Sequence, residues 1–322
     1  MSVIRNPFII ILMVLLVLML AVAFYFDHEP DFMSLERSTD VQQPVIGVAT
    51  TSMLVQTVDT LLNKRGGYLS NDVTPPSVMM DNVPNWEFGV LQQVRDLAKS
   101  LRNDYSRSQT QSIPDEDLEL AEPKFNVDSD AWMFPSAEGE YKNGADAVRK
   151  YLTRLQDTSK QDAQFYARAD NLNEWLSLVE KRLGALSLRL SQARPQVRVN
   201  TDLAGDANAQ QSTSTASEIV ARTSWFAIDD NFYEARGTSW ALIHYLRAAE
   251  IDFKPVLEDK NAIPTLRQII RELESTQQPI SSPMILNGSG MGMFANHSLV
   301  MSSYISRANS GIAQLRSLLA DG

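Results

Sequence analysis

The sequence predicts an all-α protein: an N-terminal transmembrane helix followed by a mostly helical, bundle-like body. Three observations carry that prediction. Residues 7–26, PFIIILMVLLVLMLAVAFYF, contain no charge. Phe165, Ala169, Leu172, Leu176, Val179, Leu183, Leu186, Leu190 and Ala193 step alternately by four and three, and Met301, Ile305, Ala308, Ile312, Leu315 and Leu319 repeat that spacing. Between the two seams apolar residues return at helical intervals, which suits a bundle better than alternating strand and helix units.

A helix as long as residues 7–26 matches the roughly 30 Å hydrocarbon core of a bilayer. Arg5 and the free amine lie ahead of it, whereas Asp27, Glu29, Asp31 and Glu36 come before the next cation, Arg37. Cations near a span favour the cytoplasm, so the expectation is a single-pass inner-membrane protein, N-terminus cytoplasmic and body periplasmic. A cleaved signal peptide is the rival, because Ala21-Val22-Ala23 fits the small-x-small cleavage pattern. The length of the run, the lone cation before it and the aromatic triplet Phe24-Tyr25-Phe26 favour an uncleaved anchor.

Composition narrows the function of the remaining 295 or so residues, a length for one large or two ordinary domains. There is no cysteine, which removes disulfides, thiolate metal sites and cysteine nucleophiles. The net charge of −10 and the absence of basic clusters argue against nucleic acid as a partner.

Residues 27–44, with Pro30 and Pro44, read as a polar stalk. A first helical region is expected over 45–195. It begins with a helix at Val45–Lys64, stopped by Gly66-Gly67. A turn-rich approach containing Pro75, Pro76 and Pro84 leads to a helix capped by Asn85 and running to about Ser106. Residues 108–143 read as irregular and acidic, with a charge run at Asp115, Glu116, Asp117, Glu119 and Glu122; short extended pieces at Lys124–Val127 and Ala131–Phe134 are possible.

The first seam then predicts one long helix over 161–193. A parallel homodimer in this register would set Arg168 beside Asn173 and Arg182 beside Ser187, without ion pairs. Tyr166 and Trp175 also widen the apolar face, so an intramolecular helix is the preferred reading. Pro195 ends it. Residues 196–217, small and polar, read as a flexible linker to a second helical region, 218–322, packed on the first. Helices are expected there from Asp229-Asp230 to near Glu250, from a cap at Asn261 with Pro264 in its first turn, and from near Ser298.

Few stretches carry candidate chemistry. GTSWA at 237–241 resembles a nucleophile elbow, with His244 five residues after Ser239, but the residues ahead of it read as helix where an elbow needs a strand. A turn or kink within helical structure is the simpler account. The histidines His28, His244 and His297 match no metal motif, and Asp229, Asp230 and Glu234 suit a helix N-terminus without a cation. The loop 287–297, NGSGMGMFANH, has alternating glycines ahead of a helix. Asn287, Gly288, Gly290, Gly292 and His297 are therefore a candidate ligand or partner loop. The simpler reading is a tight connector in which glycines let the backbone pass close to Met291, Met293 and Phe294.

The strings MDNVPNWEFGVLQQVRDL, DDNFYEARGTSWALIHYLRA, LEDKNAIPTLRQIIRELESTQ and ILNGSGMGMFANHSLVMSSYISRAN resemble an uncharacterised proteobacterial family of inner-membrane-anchored proteins, domain of unknown function 2333. The resemblance implies a Gram-negative inner-membrane protein and transfers no catalytic residue or cofactor. The expected role is therefore that of a structural or interaction protein of the envelope, held by residues 7–26 in the membrane and bound to a protein partner. No catalytic residue, metal or cofactor is assigned. An exported hydrolase or ligand-binding protein, using 237–244 or 287–297, is the alternative.

Overall fold

A computed structural model of the chain describes residues 7–33, 45–109, 112–200, 216–280, 282, 284–289 and 293–321. The fold is organised around helix α7, Ile228–Asp252, most of whose 25 residues are buried. A helix buried on nearly every side sits at the centre of a bundle. Its acidic start, Asp229-Asp230, suits the positive end of the helix dipole.

Three helices and a short segment lie along it. Helix α2, Val48–Asn63, is antiparallel to α7: the Asp252 carboxylate at the far end of α7 accepts from the Gly47 and Thr50 N–H groups (2.9 and 2.6 Å) and so caps α2. Helix α3, Asn82–Ser100, runs parallel to α7. Asn85 Nδ2 donates to Asp230 Oδ1 near the start of both, and the indoles of Trp86 and Trp240 meet at 5.3 Å, inclined at 60°. Helix α9, Ile263–Ser275, is antiparallel to α7 and follows a short helix α8, Lys254–Asp259.

The two seams meet each other. Helix α6, Ala169–Ser191, lies antiparallel to α10, His297–Ala320, as Ser187 bonds to Ser302 at one end and Arg316 to Asn173 at the other. Leu176, Val179, Leu183 and Leu186 are buried in the same continuous core as Met301, Ile305, Ala308, Ile312 and Leu315. That core draws residues from every α-helix except α1, Pro7–Phe26, which has no buried residue.

Several expectations need correction. The acidic stretch 108–143 contains two helical pieces in place of irregular chain: α4, Glu116–Phe125, and the start of α5, Ala137–Gln156. The charge run is a helix N-terminus. Asp115 accepts from the Asp117 and Leu118 N–H groups, and the acids of the first turn are stabilised by the dipole. Pro123 is accommodated inside α4, and no strand forms at 124–127 or 131–134.

The long helix starts at Ala169 instead of 161 and ends at Ser191. Phe165 is drawn instead into a ring cluster with Tyr105 and Phe253. α3 starts three residues before Asn85, whose side chain serves Asp230. The first linker residues are paired: β1, Gln196–Val199, is antiparallel to β2, Glu218–Ala221, while residues 201–215 lie outside the described ones. Helix α7 passes through Gly237-Thr238-Ser239 without a break.

Candidate functional site

The expected stalk is in part a docked strap. Residues 34–44 lie outside the described ones, but Asp27–Met33 runs along α7. Glu29 meets Arg236 through two bonds, Nε to Oε1 at 2.7 Å and Nη2 to Oε2 at 2.5 Å. Arg236 Nη1 also donates to the carbonyls of Thr276 and Gln278, both at 3.0 Å. The side chain of Arg236 is 8 % exposed, so a guanidinium inside the bundle is satisfied from three sides. Its cation is therefore used up by the strap and the end of α9.

Four residues on, the Met33 N–H donates to His244 Nε2 at 2.9 Å. His244 Nδ1 lies 2.7 Å from the Trp240 carbonyl, so Nδ1–H donates to this carbonyl and the ring is the neutral tautomer with Nε2 as acceptor. Burial pulls the His244 pKa down to about 4, with the Arg247 charge adding to the shift. Phe32 contacts both the His244 ring (5.5 Å, tilted) and the Arg247 guanidinium, which lies over its face at 5.5 Å. At the root of the strap, Arg65 lies over the Tyr25 ring at 5.6 Å and Phe26 packs on Gly66.

Two clefts flank this junction. One, of about 430 Å³, lies between the strap residues His28, Glu29 and Asp31 and the end of α2 at Asp59, Asn63 and Arg65. The other, of about 510 Å³, lies behind Arg236 and is lined by Phe232, Thr276, Ile280, His297 and Tyr304. This second cleft holds one sequence-predicted site residue, His297, in the same lining as Arg236. His297 Nδ1 accepts the Leu286 N–H at 3.1 Å, which leaves the ring hydrogen on Nε2.

The rest of the predicted loop is a narrow return. Asn287 pairs with Asn296, the Gly288 N–H donates to Ala295 at 2.8 Å, and Asn296 Nδ2 bonds the Gly288 carbonyl. A Cβ on Gly288 would collide with the backbone of Phe294, the close approach expected of a tight connector. Gly290 and Gly292 lie outside the described residues, as does Met291.

The elbow residues do not form a catalytic pair. Ser239 Oγ is buried, while both ring nitrogens of His244 are used by Met33 and Trp240. Asp230 and Glu234 are also engaged, with Asn85 and Arg189. Among the described residues no three metal-ligating side chains converge. Sequence reasoning missed Glu29 and Arg236. The signal was an arginine four residues from both Phe232 and Trp240, on the core-facing row of the helix, since a buried arginine requires a partner.

The chain belongs to the family described as uncharacterized protein conserved in bacteria (DUF2333), whose model matches residues 2–322. No curated protein and no solved structure matches it. Among the described residues, α1 is the one helix long and apolar enough to cross a membrane.

Proposed function

We propose that this family member is a single-pass inner-membrane protein of the Gram-negative envelope, N-terminus cytoplasmic, whose periplasmic body acts by binding another envelope protein. The observation that carries the reading is the Glu29–Arg236 pair. It fixes the chain three residues after the apolar helix to the central helix of the body. A freely swinging enzyme or binding domain has no need of such a joint. A body that presents one face to a partner at a set height and angle does.

The orientation rests on the cation ahead of the span and the four acids after it. A reporter enzyme active only in the periplasm, fused after Gly322, should be active, with the full-length protein in the membrane pellet. An inactive fusion sinks the orientation. A soluble mature chain beginning near Phe24 sinks the anchor and leaves export standing.

A further inference from the structure

The strap sets the register between the end of α1 and the body. From Glu29 to Met33 the chain advances four residues, about 13 Å if extended. Their partners, Arg236 and His244, are eight residues apart on α7, about 12 Å along a helix. Strap and helix therefore climb together. By the same rates Asp27 is level with about residue 232, in keeping with the charge of Asp27 being felt at Tyr233. Trp225 and Phe226, just ahead of α7, then lie about 9 Å further back toward α1. Along the line of the strap, that is beyond Asp27, on the side from which α1 enters.

Other elements reach the same end. Tyr25 and Phe26 meet Arg65 and Gly66 just past α2. The loop that follows holds residues 129–134, as Tyr68 Oη donates to Ser129 (3.0 Å) and Asn71 Nδ2 to Ala131 (3.0 Å). Trp225 shares a small cleft with Met284 and Asn287, and the Gly288 backbone next to Asn287 lies against Phe294. On these three elements sit Trp132, Phe134, Trp225, Phe226, Met293 and Phe294, 56, 91, 65, 85, 95 and 70 % exposed. Beyond the strap's Phe32, they include every exposed aromatic among the described residues of the body. The opposite end, where Asp252 caps α2 and Phe165 meets Phe253, offers nothing comparable: its most exposed apolar residue, Ile113, is aliphatic.

We infer that this end of the body rests in the headgroup layer of the phospholipid bilayer, with Trp132, Phe134, Trp225, Phe226 and Phe294 as its interfacial anchors. The inference rests on the reading of residues 7–26 as an uncleaved span. Aromatic rings favour this layer, and apolar groups of surface-bound elements sink about 5–10 Å into it. Asp27, Asp81, Asp229 and Asp230 lie at the same end as Arg65, so the charge there is mixed and aromatic burial is the main force that holds the face down. Contact therefore persists in zwitterionic bilayers.

The chain has no cysteine, so single labels are clean. Full-length protein would be placed in phosphatidylcholine–phosphatidylethanolamine nanodiscs and labelled with an environment-sensitive fluorophore at Val14→Cys, Phe134→Cys, Phe226→Cys or Ile113→Cys. Labels at 134 and 226 should be quenched by headgroup-region nitroxide lipids and lose most of their quenching by aqueous iodide, while the label at 113 does the reverse. Without any label, nitroxide quenching of tryptophan emission should fall in the Trp132→Phe/Trp225→Phe double variant. Iodide-accessible labels at 134 and 226 overturn the inference. So do labels shielded from iodide yet untouched by nitroxide, which would mean that protein covers the face. Val14 separates the two readings: a label there that escapes deep nitroxide overturns the span itself, whereas a quenched one confines any failure to the face.

Discussion

Gly89 of α3 and Gly237 of α7 meet where the two helices cross, and neither has room for a methyl group. A Cβ on Gly237 would collide with the carbonyl oxygen of Trp86, and one on Gly89 with that of Glu234. The Thr238 hydroxyl lies 3.3 Å from the Gly89 carbonyl at the same crossing. The glycine of the GTSWA stretch is thus a packing position between two helices.

Gly237→Ala should accordingly destabilise the body, since overpacking a tight core contact costs about 1–3 kcal/mol and the obstacle here is backbone that cannot turn aside. Gly184→Ala is the contrast: its nearest neighbour is Asn309 Nδ2 at 3.6 Å, so the better helix propensity should add about 0.5–1 kcal/mol. Thermal melts of the two variants should move in opposite directions. Equal shifts would mean that the helices do not touch at Gly237.

The Glu29–Arg236 pair should hold the strap in place. Glu29→Ala leaves Arg236 with only its two carbonyl partners, and breaking a buried pair by removing one member costs up to about 3–5 kcal/mol; with Glu29 partly exposed the lower end applies. Hydrogen exchange at the Met33 amide is the readout, because its acceptor His244 lies beyond the broken pair. Exchange should quicken in Glu29→Ala. Unchanged protection would show that the strap docks without the ion pair.

His244 gives the body a sensitivity to acid. Its folded pKa of about 4 lies below the ordinary 6.5, so the unfolded chain binds the proton more readily. The contribution is complete above pH 6.5, falls as the pH drops through that window and is gone near 4, a total on the order of 3 kcal/mol. Glu87 and Asp252, buried carboxyls pushed upward, contribute slopes of opposite sign, so the comparison must be with His244→Gln. The difference in melting temperature between wild type and variant should shrink from pH 7 to pH 4. A difference that stays constant would mean that His244 titrates normally in the fold.

Leu183 tests the seam. It is fully buried in the layer between α6 and α10. Leu183→Ala should cost about 2–5 kcal/mol and leave the oligomeric state unchanged. Light scattering that showed a dimer splitting into well-folded monomers would make the seam a partner surface.

The local pattern of the sequence determined the apolar helix α1, the two seams, the helical class and the tight connector at Gly288. Each is a matter of period or composition, which reads from a window of a dozen residues. It misjudged 108–143, where prolines masked a helix start built on acid capping, and began the long helix eight residues early, because Phe165 keeps the heptad spacing while packing from off the helix. What tertiary structure alone decided is pairing over long separations. Nothing near Arg236 designates Glu29 among 39 acidic residues, nor does the stretch around Gly237 point to Gly89. A buried arginine demands some carboxylate and a close crossing demands some small residue, but the identity of the partner follows from how the helices dock. Docking minimises exposed apolar area and unpaired charge over the whole chain at once, so no single segment of it encodes the answer.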